Sequence, residues 1–349
     1  MPKPPSDAGT DVAGSSSGLA RQQIQVLKIT EGFHDSQILF ALNELGVFAT
    51  LQNGPRLLAR LAAETGASED GLERLLAAGV AQGLVALVDG TYANSELASA
   101  VLVAGRTGYL GNWLRFQSRY FKIWAGLKDA VLSGEPVADP MTFLGDDPEA
   151  TREFVMAMDD YARLRGSEVV HHLDLAEASR VLDLGGGSGA YSILFAQRWP
   201  HLRITIFDLP GVLRIAAENC EAAGVTDRVD TVAGDFHRDE LGDEFDVVFF
   251  SDALHQLAPA DAELLLAKID RALKPGGRLV VQGMFLGEDR VSPRWVTIVS
   301  LNMLLVYGSG RAYTVSETMG LLERAGFKDL EHRRMSLVGV NSLVIGYKP

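Results

Sequence analysis

Cysteine is almost absent from this chain of 349 residues: Cys220 stands alone, which excludes an intrachain disulfide framework. A lone thiol suits a reducing compartment, and the protein is expected to be cytoplasmic. Long apolar runs are missing as well. Residues 246–257 form a candidate buried strand, but Asp252 and His255 interrupt it, and no stretch is apolar for long enough to cross a bilayer. Positive charge is in deficit, with 32 Lys and Arg against 45 Asp and Glu and a formal net charge of -13. Nucleic-acid binding by phosphate neutralisation needs clustered cations, so no nucleic acid is expected as a partner. No zinc signature and no Ser/His/Asp triad is visible. His171-His172 has no Cys or carboxylate spaced to complete a site, so no metal is expected.

What is present is apolar substance: 47% of the residues are hydrophobic, enough for a sizeable core, and the length suggests two domains. Residues 1–20 are rich in Pro, Gly, Ser and Asp without an apolar h-region and read as a mobile tail. Residues 21–105 are mostly helical in period. Ile38, Leu39, Leu42, Leu45 and Val47 share a stripe, and Ser68 caps a helix over residues 71–82 that Gly83 ends. A hairpin turning at Asp89-Gly90 follows, so this part reads as a winged helix. Its second helix sets Glu69, Asp70 and Glu73 against a single Arg74, which suits a protein–protein or packing module and not a DNA reader. Residues 106–165 read as bridging helices, one rich in aromatics over 108–132 and one over 143–164. From residue 166 onward short β-rich runs at 180–184, 204–208, 229–233, 247–251, 279–284 and 342–347 alternate with helical segments. That is the pattern of an α/β domain with a mostly parallel sheet.

The chemistry concentrates in Val181-Leu182-Asp183-Leu184-Gly185-Gly186-Gly187-Ser188-Gly189-Ala190. A strand running into glycines and then a helix lets backbone approach a ligand closely. Gly185, Gly187 and Ala190 also satisfy the dinucleotide pattern, and Asp208 at the end of the next strand can accept ribose hydroxyls from either kind of cofactor. Other features separate the two. Asp183 would repel a pyrophosphate but attract a sulfonium or an ammonium group. Asp235 and Phe236 offer a carboxylate and a ring suited to an adenine amine and face. Leu273-Lys274-Pro275-Gly276-Gly277 stops a helix and turns into a late strand.

Taken in order, Asp183 to Gly189, Phe207-Asp208-Leu209-Pro210, Gly234-Asp235-Phe236 and Leu273 to Leu279 resemble class I methyltransferases. More narrowly, the chain is similar to small-molecule O-methyltransferases with an N-terminal winged-helix dimerisation domain, of the hydroxyindole, caffeate and bacterial polyketide type. The resemblance implies a Rossmann-like domain with a seven-stranded sheet, S-adenosyl-L-methionine as cofactor, a small-molecule acceptor and a homodimer. It assigns Gly185 and Gly187 to the methionine part of the cofactor, Asp208 to the ribose, Leu209 to the cofactor site, Asp235 and Phe236 to the adenine, and Ser251 to the carboxylate or sulfur end. Trp124, Met158, Asn302 and Met303 are expected around the acceptor, where thioethers pack adaptably against flat rings.

His255, in Ser251-Asp252-Ala253-Leu254-His255-Gln256, stands where this family carries its general base. A neutral imidazole can take a phenolic proton as the methyl group transfers. The chain departs from the family around it. Gln256-Leu257 replaces the usual Asp-Trp, Gly310-Arg311-Ala312-Tyr313-Thr314 lacks the usual Glu, and Ser300 or Asn302 stands near a further position where an acid is common. His255 is therefore expected to lack its carboxylate orienters. A fold repurposed for hydroxylation, decarboxylation or cyclisation stays open as an alternative.

Overall fold

The computed structural model describes residues 12–145, 147–335 and 341–349, with side chains from Gly18 onward. Two compact units meet in sequence at Thr107 and Gly108.

The first unit holds α1 (Val12–Glu44), α2 (Val47–Leu51), α3 (Leu58–Thr65), α4 (Glu69–Ala81), the hairpin β1 (Val85–Val88) and β2 (Thr91–Asn94), and α5 (Glu96–Val101). The expected mobile tail lies partly outside the described residues, but from Val12 on it is helical and opens α1. Ser68 does cap α4, accepting from the Gly71 amide, although the helix starts two residues before the expected position, with Glu69 and Asp70 in the first turn. Leu42, Leu61, Leu72 and Leu76 are fully buried and hold these helices together. By contrast Leu19, Ile24, Val26, Leu27, Ile29 and Phe33 along α1 stay exposed.

The second unit opens with α6 (Gly111–Trp124), α7 (Leu127–Ser133), α8 (Met141–Leu144) and α9 (Pro148–His172). The helix expected over 143–164 is thus two. Pro148 cannot donate inside a helix but fits its first turn, and Asp147 caps the new start by accepting from the Glu149 and Ala150 amides. The aromatic segment likewise divides into α6 and α7.

Then come β3 (Arg180–Leu184), α10 (Ala190–Arg198), β4 (Arg203–Asp208), α11 (Pro210–Ala222), β5 (Val229–Ala233), β6 (Phe245–Ser251), a short 3-10 turn at Leu254–Gln256, α12 (Pro259–Ala272), β7 (Leu273–Met284), α13 (Arg294–Tyr307), α14 (Val315–Arg324), β8 (Lys328–Arg334) and β9 (Asn341–Tyr347). The seven-stranded sheet runs β5-β4-β3-β6-β7-β9-β8. It is parallel from β5 to β7, and β9 pairs antiparallel with both of its neighbours. Alternation along β3 sends Val181 to one face, covered by α9, α10 and α11, and Leu182 and Leu184 to the other, covered by α12 and α14. Each fully buried Phe in these layers, Phe195 and Phe249 among them, contributes roughly 2–3 kcal/mol. The strand order reverses between β3 and β6, the place where a parallel sheet opens a crevice at its C-terminal edge.

Candidate active site

The crevice is built from three strand ends. After β3, Gly185 and Gly187 adopt φ of +66° and +59°, a left-handed conformation that side chains with a Cβ resist, and this bends the chain tightly into α10. The Gly187 amide donates to Asp208 Oδ2 at 2.9 Å and the Leu209 amide to Oδ1 at 2.7 Å, so the β4 carboxylate is tied to the glycine turn. Asp183 lies beneath it, fully buried, accepting from the Ser192 hydroxyl at 2.6 Å. Burial pushes Asp183 up to about 7 and Asp208 up to about 6, and Asp208 adds to the rise at Asp183. Among the described residues no Lys or Arg acts on either group. Two desolvated carboxylates without a counter-ion make a pocket that favours a cation and disfavours a pyrophosphate.

The other cofactor-site candidates converge on the same edge. Phe236 stands edge-on to Phe250, and a Cβ on Gly185 would sit 3.7 Å from its ring. Asp235 ends this wall with one carboxylate oxygen accepting from the His237 amide at 2.9 Å and the other 3.6 Å from Arg238. At the end of β6 the Ser251 hydroxyl donates to Gln282 Oε1.

Ser251 also marks the edge of a buried polar network that sequence reasoning missed. Gln282 donates to Asn341 Oδ1 at 3.4 Å, and Arg165 from α9 donates to the same oxygen at 2.9 Å. The other arm of Arg165 meets Asp252 Oδ2 at 2.5 Å, and its guanidinium lies 3.9 Å from the Tyr161 ring centre. Burial opposes the charge on Arg165, but Asp252 outweighs it and holds the guanidinium pKa above its ordinary value. A signal existed: an arginine inside α9, where the neighbouring turns bury Ala162 and Val169, needs a buried partner.

His255 sits on the 3-10 turn after β6, in a small cleft lined also by Asp252, Gln282, Met284 and Tyr313. Its carbonyl accepts from the Arg311 amide at 2.8 Å, and Tyr313 donates to the Leu257 carbonyl at 2.7 Å, so the segment after α13 braces this turn. Burial holds the His255 pKa below the ordinary imidazole value; Asp252 pulls it up and Arg165 presses it down. Gln256 and Ala312 stand where carboxylate orienters were expected to be missing, and a carboxylate outside those positions, Asp252, lines the same cleft.

Of the acceptor-site candidates, Trp124 and Met158 pack against one aromatic cluster that includes Phe116, Tyr120 and Phe143. Asn302 and Met303 lie on α13. Met303 is buried, the Asn302 carbonyl accepts from Tyr120 at 3.2 Å, and Asn302 Oδ1 is buried without a partner among the described residues.

Sheet order, glycine turn and the carboxylate ending β4 define a class I methyltransferase fold. The chain belongs to the O-methyltransferase family: the O-methyltransferase domain matches residues 124–328, and the O-methyltransferase dimerisation domain matches residues 27–104. It is 36% identical to the tetracenomycin polyketide synthesis 8-O-methyl transferase TcmO of Streptomyces glaucescens, over 93% of this chain and 96% of that one. Identity to the acetylserotonin O-methyltransferase of Bos taurus is 34%, over 87% and 92%. The crystal structure of human N-acetylserotonin methyltransferase in complex with S-adenosylmethionine superposes with a TM-score of 0.85, at 30% identity, over 98% of this chain and 99% of that one. The protein is an S-adenosylmethionine-dependent methyltransferase.

Proposed function

We propose that the enzyme methylates a hydroxyl group on a small, flat aromatic or polyketide-like acceptor, with His255 taking the hydroxyl proton. The observation that carries this reading is the cleft at the end of β6 and β7, where burial holds His255 neutral at neutral pH beside the cofactor edge of the sheet.

The residues present fit the cofactor. Asp183 Oδ1 is buried and unpartnered among the described residues, and no Lys or Arg among them acts on Asp183 or Asp208. Asp183, Gly185 and Gly187 would hold the methionine end, Asp208 and Leu209 the ribose, Asp235 and Phe236 the adenine, and Ser251 the region near sulfur. When bound, the cofactor supplies its methyl group as an electrophile on sulfonium sulfur, which keeps the C–S electron pair as the group leaves. The chain contributes position and proton removal. The sheet edge fixes the cofactor, Trp124, Met158, Asn302 and Met303 fix the acceptor, and an imidazole nitrogen of His255 receives the proton. The names of the relatives support the acceptor class, since one is an 8-O-methyl transferase of tetracenomycin polyketide synthesis and another an acetylserotonin O-methyltransferase.

The dimerisation-domain match and the exposed apolar residues of α1 support a homodimer. The single buried Cys220 supports a cytoplasmic setting, and the charge balance supports a small-molecule and not a nucleic-acid partner.

The test is methyl transfer from labelled S-adenosylmethionine to a panel of hydroxynaphthoates, hydroxyindoles and polycyclic phenols, run with the natural chain and with His255→Gln. Product from at least one phenol, lost in the variant while S-adenosylhomocysteine still binds, supports the reading. Full activity in His255→Gln would remove the histidine from the chemistry.

A further inference from the structure

Gln256, and not the carboxylate that the family resemblance leads one to expect, follows His255, yet the turn is built around another carboxylate. Asp252 leaves β6 with φ +49°, in the left-handed region that Asp enters more readily than most residues. Two contacts hold it there: the Asp252 amide donates to the Gln282 carbonyl at 2.9 Å, and Arg165 grips Oδ2. The remaining oxygen, Oδ1, is buried without a partner among the described residues, and Asp252 lines the cleft together with His255. A carboxylate held by one oxygen, with the other left unused in the catalytic cleft, is poised to face a charge that develops during turnover.

We propose that Asp252, clamped by Arg165, is the positioning carboxylate of His255, favouring its protonated form as the acceptor proton arrives. The proposal rests on the reading of His255 as the base. Arg165 fixes the direction of Asp252 and limits its effect, because the guanidinium repels the imidazolium that the carboxylate attracts. Other groups around the turn leave this pair in control. Tyr313 crosses the cleft with its hydroxyl tied to Leu257, and burial pushes its pKa up to about 12, so it stays neutral. Arg311 touches His255 through its backbone amide. Helix α13, which packs on the turn, carries no charged side chain after Arg294.

A pair that merely locked α9 to the sheet would leave the titration of His255 unmoved, and this gives the test. The protein, carrying carbon-13-labelled histidine and saturated with S-adenosylhomocysteine, is titrated by NMR, and His255 is assigned among the seven histidines by its loss in His255→Gln. In Asp252→Asn, which removes the attraction and keeps the Arg165 charge, the His255 midpoint falls by about 0.5 pH or more. In the double variant Arg165→Met, Asp252→Asn, which removes both charges and leaves no buried ion unpaired, the midpoint lies between those of Asp252→Asn and the natural chain. If Asp252→Asn fails to fold, a midpoint in the double variant below that of the natural chain supports the proposal. An unchanged midpoint in the folded variants overturns it. The general-base reading fails on a different result, namely undiminished methyl transfer by His255→Gln.

Discussion

Asp183 accepts a 2.6 Å hydrogen bond from Ser192 with one carboxylate oxygen and leaves the other, equally buried, without a partner among the described residues. Half-satisfied burial of this kind weakens a fold unless a ligand completes it. The folded-state pKa of about 7 exceeds the reference 3.8, so the folded protein holds the proton more tightly than the unfolded chain. Stability is therefore lost as pH rises between those values. Asp183→Asn is expected to raise the stability of the ligand-free protein at pH 8 by on the order of 2 kcal/mol. That gain should shrink toward pH 5, while S-adenosylmethionine binding weakens. Thermal unfolding at both pH values, with calorimetric titration, checks the pair of effects; a gain independent of pH would contradict the argument.

Asp208 presents the second carboxylate to the same crevice, and its two hydrogen bonds come from backbone amides. Asp208→Ala removes the acceptor proposed for the ribose and frees the Gly187 amide. Affinity for S-adenosylhomocysteine should drop roughly 10- to 100-fold, the scale of one or two hydrogen bonds to a charged group. Because burial raises the Asp208 pKa to about 6, cofactor affinity of the natural chain should also decline as pH falls below that value. Calorimetric titration between pH 5 and 8 measures both; a flat profile would rule out Asp208 as a charged contact.

Gly310 packs against the back of the His255 turn. A Cβ there would stand 2.8 Å from the carbonyl oxygens of both His255 and Gln256, closer than such atoms approach without displacement. Gly310→Ala should shift the base and lower kcat by about tenfold or more, since misplacement of a catalytic group by an ångström is costly. S-adenosylhomocysteine affinity should hold. Equal losses in both would point to general unfolding instead.

Asp160 fastens α6 to α9. It accepts from the Asn112 and Trp113 amides at 3.0 and 3.1 Å and from the Asn112 side chain at 2.9 Å, so a carboxylate satisfies the open N-terminus of α6. Asp160→Ala should destabilise the protein by about 2 kcal/mol, measured by denaturant unfolding. A change within a few tenths would mean that the helix start is held by other contacts.

How much of this was legible in the sequence depended on whether a residue's meaning was local. Strands β3 and β5 were bounded to the residue, because each is a β-rich run ended by turn residues. The edge strand β8 was not anticipated. Lys328–Arg334 holds five charged residues and a histidine in seven positions, which no apolar pattern marks, and among the described residues it pairs on one side only, with β9. The break between α8 and α9 could have been read from Gly145 and Pro148, whose turn chemistry outweighed the helical period on either side. The glycine turn, Asp208 and His255 were visible because motif spacing fixes them. Arg165, Asp252, Gln282 and Asn341 were not, since 87 residues separate the first two and only the folded sheet brings them together.

Helix α9 carries Met158, Tyr161 and Arg165 at successive turns of one face, and these meet, in order, the aromatic cluster, Met284 and Trp113, and Asp252. The helix thus works as a camshaft: its rotational phase sets the proposed acceptor wall and the proposed base turn together. One residue inserted anywhere between Met158 and Arg165 would turn the two ends about 100° out of step. On the proposed reading, acceptor preference can drift by exchanging side chains along this face, whereas a change of length within it would put recognition and proton removal out of register at a single stroke.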